Sequence, residues 1–286
     1  MNRQALSWPD GKRIAVLVSV LFESWAEGKA PSYFPRTSPL KPGTVDYGAI
    51  QWGQYAGNEG VWRIMRILEQ CGVPATFFCS GRSAELYPDA VRQIVKSGHD
   101  IGAHGYTQDV VFSYLSVEEQ HAAIRKTLDL LEQVGGRRPD GWATAVYGWD
   151  NNTFDLLVKE GVRWYADALN ISLPRREQTP GGSIIALPWS DFVDNRCLRS
   201  TPRNFYDVYH DTFDYLYANE PMALVNIAFH SHFGGRPLMS AMLVKVLQYF
   251  AQYKDVWFVR HGELVDWLIE QKIDDLSYAQ RFFAGQ

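Results

Sequence analysis

Carboxylate and imidazole side chains stand at the ends of several apolar runs in this sequence. The set comprises Glu23, His104, Asp191, His230, His232 and His261, and it includes four of the seven histidines. A carboxylate with several imidazoles can carry out general acid–base catalysis, and the same groups can hold a metal ion. A single histidine of this kind is more often structural than catalytic. Their joint occurrence nevertheless predicts one functional site.

The stretch around His104 raises a question about metal binding. Gln108 follows His104 by four residues, at a position where a second histidine would complete a familiar pair of metal ligands. A glutamine amide is a poor ligand for zinc-like ions. The stretch is therefore an active site that lacks a ligand, a site with different chemistry, or no site.

The elements that must position these residues alternate along the chain. Apolar, β-branched runs alternate with amphipathic stretches that end in glycine, which is typical of βα units and a mostly parallel sheet. The predicted strands are 13–22, 73–81, 99–105, 141–148, 163–169, 183–189, 223–233 and 255–261. The predicted helices are 60–72, 87–98, 116–136, 151–161, 205–219 and 237–253, and Ser116 and Glu119 form a capping box at the start of the third. Seven or eight strands in this rhythm predict a closed or nearly closed α/β barrel.

In such barrels the chemistry lies at the carboxyl ends of the strands, so the six acidic and imidazole residues should meet on one rim. Trp189 and Tyr147 flank the same rim and predict an aromatic pocket that contacts a substrate. Arg236 is expected either to bind a substrate carboxylate or to pair with an acidic neighbour. The segment 23–57 is predicted to be a long irregular loop that shapes the pocket.

Length and composition limit the classes of partner. The chain has 286 residues, 46% of them hydrophobic and 21% charged, which fits one globular domain over residues 1–286 with a core at about 13–268. The net charge of −4 offers no basic surface for nucleic acid or for an anionic membrane. The first apolar run is too short for a membrane span and lacks a signal-peptide cleavage site, and three cysteines without a zinc pattern suggest a cytoplasmic protein. We expect a small-molecule substrate and a homo-oligomer that uses the helix 205–219 and the early loop.

The segment GVPATFFCSGRSAELYPDAVRQIVKSGHDIGAHGY closely resembles the second and third βα units of the polysaccharide deacetylase (NodB-like) superfamily. The stretches YAGNEGVWRIMRILEQ, HSHFGGRP and DVWFVRHGEL resemble its branch of allantoinase-like enzymes, cyclic imide hydrolases and peptidoglycan-deacetylase-like proteins. The resemblance implies a distorted (β/α)7 barrel that hydrolyses a non-peptide carbon–nitrogen bond. It also implies, for the metal-dependent members, an aspartate pair after the first strand, a histidine pair after the third, an arginine after the next and an acid histidine near the seventh.

This chain departs from that pattern at several positions. Glu23 matches the catalytic base, but Ser24 replaces the metal-binding carboxylate. His104 matches the first metal histidine, and Gln108 replaces the second. The stretch GWATAVYG lacks the expected arginine, whereas His230 matches the general-acid histidine. The resemblance therefore implies surviving acid and base positions beside two poor metal ligands.

Three hypotheses follow. The favoured one is a hydrolase of a small cyclic amide, imide or ureide, or of an N-acetyl or N-formyl group, that works without a metal or depends on one only weakly. In it Glu23 is the base, His230 is the acid, and His104 and Gln108 help to polarise the carbonyl.

The second hypothesis is a metal-dependent deacetylase whose zinc-like ion has moved. His230 and His232 lie on the same side of a strand, and His261 or His104 would add a third ligand. The third hypothesis is a non-catalytic relative that binds a ligand in the same pocket.

Overall fold

The structure is a computed structural model, and it describes residues 7–283. Within these residues it has nine strands: β1 Ile14–Phe22, β2 Thr76–Cys79, β3 Asp100–Ala103, β4 Gly141–Trp142, β5 Trp164–Ala168, β6 Arg175–Thr179, β7 Gly182–Pro188, β8 Ala223–His230 and β9 Val256–Phe258. All eight predicted strands are present. Residues 1–6 and 284–286 of the predicted domain lie outside the described part of the chain.

The same residues form ten α-helices: α1 Tyr47–Tyr55, α2 Val61–Cys71, α3 Gly81–Leu86, α4 Pro88–Lys96, α5 Val117–Gly135, α6 Thr153–Lys159, α7 Arg203–Asn219, α8 Pro237–Phe250, α9 His261–Glu270 and α10 Tyr278–Phe282. The predicted capping box is confirmed at α5. The Ser116 hydroxyl accepts a hydrogen bond from the Glu119 backbone, and the Glu119 carboxylate accepts one from the Ser116 backbone.

The strands form one sheet in the order β6-β7-β5-β4-β3-β2-β1-β8, and β9 pairs with the start of β1. Every pairing is parallel except the hairpin of β6 with β7. An isolated parallel bridge joins Val193, which follows β7, to Ala228 of β8. This bridge brings the two sides of the sheet together. The result is the distorted barrel of seven principal parallel strands that the sequence predicts, with helices around it.

Two parts of the chain differ from the prediction. The segment 23–57 is not irregular throughout, because it contains α1, which begins where the Asp46 carboxylate caps the backbone of Ala49. Strand β6 was missed because its sequence, RREQT, is polar and lacks the apolar alternation of a half-buried strand. It pairs with β7 along its length, and Arg175 at its start forms an isolated antiparallel bridge with Asp275. None of its residues is fully buried, so it needs no apolar face.

Strand β1 decides the position of the candidate site. Its nine residues are all buried, as expected for a central strand covered on both faces. Ile14, Val16 and the other even-numbered apolar residues pack with the helix layer, whereas Ala15, Leu17 and Leu21 pack with the barrel interior. Because side chains alternate along a strand, the next odd-numbered residue, Glu23, enters the mouth of the barrel.

Candidate active site

Glu23 lies at the centre of a cluster of three imidazoles at the carboxyl ends of the strands. Its Oε1 atom is 3.2 Å from Nε2 of His104 and 3.8 Å from Nε2 of His230. Its Oε2 atom is 3.9 Å from Nδ1 of His232, and it accepts a 3.5 Å hydrogen bond from the Tyr33 hydroxyl. Three of the four predicted histidines, His104, His230 and His232, therefore surround the predicted carboxylate.

The electrostatics of the cluster favour an ionised Glu23. Burial by itself would raise the pKa of Glu23, but His230 first, and then His104 and His232, outweigh it and lower the pKa to about 2. Burial acts in the opposite direction on an imidazole and by itself would lower the pKa of His230. The charges of Glu23 and then Asp194 outweigh it and raise that pKa to about 9. At neutral pH the pair is a carboxylate beside an imidazolium. These are the protonation states that a base and an acid need.

Asp194 orients His230. Its Oδ1 atom accepts a 2.6 Å hydrogen bond from Nδ1 of His230, and its Oδ2 atom accepts a 3.0 Å bond from the His230 backbone. Asp194 opens a short 3₁₀ helix that extends to Arg199, and it is fully buried. The bond to Nδ1 leaves Nε2 of His230 directed at Glu23.

The prediction for Asp191 is wrong in placement. Asp191 is exposed and does not line the cavity beside Glu23, whereas Asp194, three residues later, reaches the histidine. Sequence reasoning placed the acid at the strand end because β7 stops at Pro188. The chain runs on past the strand before it turns inward at Val193, and no sequence periodicity signals that extension.

His104 is held in one orientation by the backbone. Its Nδ1 atom donates a 2.8 Å hydrogen bond to the carbonyl of Ala143, so Nε2 faces Glu23. The same orientation keeps Nε2, 3.2 Å from Oε1 of Glu23, at the cavity, where it is the ring nitrogen available to a ligand.

His232 has a supporting position. Its Nε2 atom is 3.0 Å from the Tyr33 hydroxyl, and its ring packs edge-on against Trp25 and Trp52. Burial, and then the charge of His230, lower its pKa to about 3, so it is neutral in the physiological range. A neutral, aromatic-packed imidazole forms the wall behind Glu23.

Two predicted residues lie elsewhere. His261 is fully buried and its Nε2 atom is 3.1 Å from the hydroxyl of Ser19, four residues before Glu23 on β1. At the rise of a β-strand this is about 13 Å down the barrel, and the ring is stacked on Trp164. Arg236 donates to the backbone carbonyls of His232 and Trp52 and covers the ring of Tyr55. The predictions that His261 and Arg236 lie in the site are therefore wrong in placement.

A cavity of about 440 Å³ opens above Glu23. Its walls contain the predicted residues His104, Gln108, Tyr147, Trp189 and His230, together with others that include Trp25, Tyr33, Thr144, Asp167, Asn195 and Arg196. Val146 and Tyr147 both have left-handed backbone conformations, with φ of +50° and +53°. This unusual turn holds Tyr147 at the mouth of the cavity.

Asp167 is, after Asp194, the second carboxyl group of the site that was not predicted from the sequence. It lies near the end of β5, is only 1% exposed, and accepts a 2.7 Å hydrogen bond from the Thr144 backbone. Burial raises its pKa to about 7, although Thr144 and His104 act in the opposite direction. Its position two residues before the end of the predicted strand 163–169 was the available signal.

The positions of the family's metal ligands do not fit a divalent ion. Ser24 points toward the helix layer, where its hydroxyl is 2.8 Å from that of Ser83 at the start of α3. Gln108 donates its amide proton to the carbonyl of His104 at 2.7 Å. Both side chains are therefore committed to local structure, and neither offers the charge or basicity that such an ion requires.

The relocated site with His261 as its third ligand does not assemble either, because His261 lies deep in the barrel. Among residues 7–283, no group of three or more His, Cys, Asp or Glu side chains has an arrangement suited to a metal ion. The same described residues include no helix long and apolar enough to cross a membrane.

Comparisons with known proteins agree with this fold. Residues 43–165 match the family model for polysaccharide deacetylase. The chain is 23% identical to a peptidoglycan deacetylase of Helicobacter pylori over 258 residues, which are 76% of this chain and 86% of the relative. It also resembles the crystal structure of a probable polysaccharide deacetylase from Pseudomonas aeruginosa, with a TM-score of 0.81, 25% identity, and coverage of 92% of this chain and 93% of that one.

A second solved structure, that of Puue allantoinase, matches with a TM-score of 0.82 and 26% identity over 92% of each chain. These relatives are hydrolases of non-peptide carbon–nitrogen bonds. The match to the family model, together with two whole-chain structural matches, confirms the resemblance inferred from the sequence. Residues 43–165 therefore match a polysaccharide deacetylase domain, and the fold of the chain is that of its NodB-like structural relatives.

Proposed function

We propose that this protein hydrolyses a carbon–nitrogen bond in a small cyclic amide, imide or ureide, with Glu23 as the general base and His230 as the general acid. The observation that carries the proposal is the buried pair of Glu23 and His230, 3.8 Å apart, with Asp194 behind the histidine. The pair lies at a cavity of about 440 Å³, a volume suited to a small heterocycle.

The reaction begins with a water molecule that gives a proton to the Glu23 carboxylate as its oxygen attacks the carbonyl carbon. The carbon–nitrogen bond of the tetrahedral intermediate then breaks, and the departing nitrogen takes the proton from Nε2 of His230. The products are a carboxylic acid and the open-chain nitrogen group. Asp194 stabilises the imidazolium before the transfer and holds its ring in place throughout.

The substrate class follows from the weak metal ligands. Imides and ureides have more electrophilic carbonyls and better leaving groups than plain acetamides, so they need less Lewis-acid assistance. Donors from the cavity, with His104 among them, supply the polarisation instead. No step of the proposed reaction therefore uses a metal ion.

The experiment is a substrate panel with two variants. Purified protein is incubated with hydantoin-type ureides, succinimide-type imides and N-acetylglucosamine oligomers, and ring opening or acetate release is followed. We expect turnover of a cyclic compound, a loss of 100-fold or more in kcat for Glu23→Gln, and a comparable loss for His230→Gln. Turnover of Glu23→Gln at the wild-type rate would contradict the assignment.

A second candidate is the deacetylation of a larger N-acetylated substrate. It is favoured by a separate cleft of about 650 Å³ that shares Glu23 and Trp25 with the cavity and extends along α1 to Tyr47 and Gln54. Acetate release from the oligomers without ring opening of any cyclic compound would favour this candidate. Ligand-induced stabilisation without any turnover would favour a non-catalytic relative.

A further inference from the structure

Asp167 is a buried carboxyl that the reaction above does not use. Its hydrogen-bonded protein donors among the described residues both belong to Thr144: the backbone N–H, 2.7 Å from Oδ2, and the side chain. Asp167 also lines the cavity that contains Glu23 and His230. A carboxyl group has about four acceptor positions, so it can form further hydrogen bonds with a molecule in the cavity.

Such a group destabilises the fold unless a molecule in the cavity forms hydrogen bonds with it. A buried carboxyl whose hydrogen-bonding positions are only partly filled loses part of its hydration, and this loss destabilises the fold, most of all when the group is charged. Burial accordingly holds the pKa of Asp167 near 7, so that acid and carboxylate forms coexist at neutral pH. In the acid form the group has one donor and several acceptors.

One ligand edge matches a carboxylic acid. In a five- or six-membered ring the amide is cis, so its N–H and its C=O point in the same direction. A protonated carboxyl can then accept from the N–H and donate to the C=O at once. A secondary acetamide is trans, with its N–H and C=O on opposite sides, and a single carboxyl cannot bind both.

We propose that Asp167 binds the N–H and C=O edge of a cyclic imide or ureide and so selects rings with an unsubstituted nitrogen. This inference rests on the function proposed above and adds its specificity residue. Asp167 holds the ring by this edge while a second carbonyl of the ring faces Glu23. Asp167 is thus a binding residue that exchanges no proton with the reacting bond.

The test measures binding without turnover. Glu23→Gln protein is titrated with succinimide and with N-methylsuccinimide, which lacks the N–H, by calorimetry at pH 6. We expect succinimide to bind at least tenfold more tightly. The added change Asp167→Asn keeps a donor and an acceptor and should retain this ratio, whereas Asp167→Ala should reduce it to about one.

The matched control is Asp191→Asn in the same background. Asp191 is exposed and lies outside the cavity, so the ratio should not change. A ratio in the Asp167→Ala protein equal to that of its parent would overturn the inference while leaving the proposed function intact. Failure of the parent to bind either imide would overturn both.

A pH series decides the question even if Asp167→Ala does not fold. Succinimide binding to the Glu23→Gln protein should weaken as the pH rises from 6 to 8.5, because the ionised carboxyl can no longer donate to the C=O. Binding of N-methylsuccinimide should stay constant, and Asp167→Asn should remove the pH dependence of succinimide binding. A pH-independent succinimide affinity in the parent would contradict the two-point contact.

Discussion

Nδ1 of His230 lies 2.6 Å from Oδ1 of Asp194, and Oδ2 of the same carboxylate accepts the backbone N–H of His230. One carboxylate therefore fixes both the ring and the main chain of the proposed acid. This two-point contact lies inside the protein, where a fixed charge acts more strongly than in water. The pair is the most constrained part of the candidate site.

Asp194→Asn should lower kcat/KM by about 10- to 1000-fold and should move the alkaline limb of its pH profile to lower pH. Burial lowers the pKa of His230, and the Asp194 charge is one of the two that raise it, so removing that charge makes the imidazolium harder to keep. The measurement is kcat/KM from pH 5 to pH 10. Asp191→Asn is the control, and an unchanged alkaline limb in Asp194→Asn would refute the role of Asp194.

The wild-type pH profile should have a broad plateau. Glu23, with a pKa of about 2, is ionised across the neutral range, and His230, with a pKa of about 9, is protonated below that value. We therefore expect kcat/KM to be flat in the neutral range and to fall above about pH 9. The apparent pKa of this alkaline limb belongs to Glu23 and His230 as a coupled pair. A profile that rises with pH through 7 would mean that a neutral histidine is the base.

Metal removal should leave the activity unchanged. Ser24 and Gln108 are bound to Ser83 and to the His104 carbonyl, so they are not free to act as ligands. Dialysis against a chelator, followed by elemental analysis and assay, checks this expectation. Loss of activity that zinc restores would contradict it. The variant Ser24→Ala would then separate a ligand role of Ser24 from a packing role, because loss of the hydroxyl contact with Ser83 alone destabilises the fold by about 1 kcal/mol.

His261 should make the fold sensitive to acid. Burial lowers its pKa to about 3 from an ordinary value of 6.5, so the unfolded chain takes up a proton first as the pH falls. Above about pH 6.5 the titration of His261 does not change the free energy of unfolding. Below that pH it lowers the free energy of unfolding progressively, by about 2 kcal/mol at pH 5. His261→Gln should flatten the fall of Tm between pH 7 and pH 5, whereas His210→Gln, on the partly exposed face of α7, should not. Equal slopes for the two variants would contradict the assignment.

The fold was predictable because hydrophobic periodicity and glycine stops report local structure directly. The strand ends that carry Glu23, His104 and His230 were predicted for this reason, and the structure brings these three together. The roles of Asp191 and His261 were misplaced because a loop's path and a residue's depth in the barrel depend on tertiary packing. Arg236 was misplaced because a cation gives no sign of whether it will meet a ligand, a carbonyl or an aromatic ring.

Asp194 and Asp167 were missed for related reasons. Asp194 comes after an extension of the chain beyond β7, and Asp167 sits inside the apolar pattern of β5, where a lone acid has no distinctive spacing. The domain limits, the homo-oligomer and the cytoplasmic location stay predictions. So do the assignments of acid and base.

The bridge from Val193 to Ala228 completes the barrel one residue before Asp194 and two residues before His230. The seam of the barrel and the support of the proposed proton donor are therefore the same few residues. Any opening of the seam would release the acid from its carboxylate before the rest of the fold is lost. Amide hydrogen exchange at Ala228 and His230 would then report how often the site loses its catalytic arrangement. A bound ring that contacts both sides of the seam would stabilise the closed state and slow exchange at these two amides.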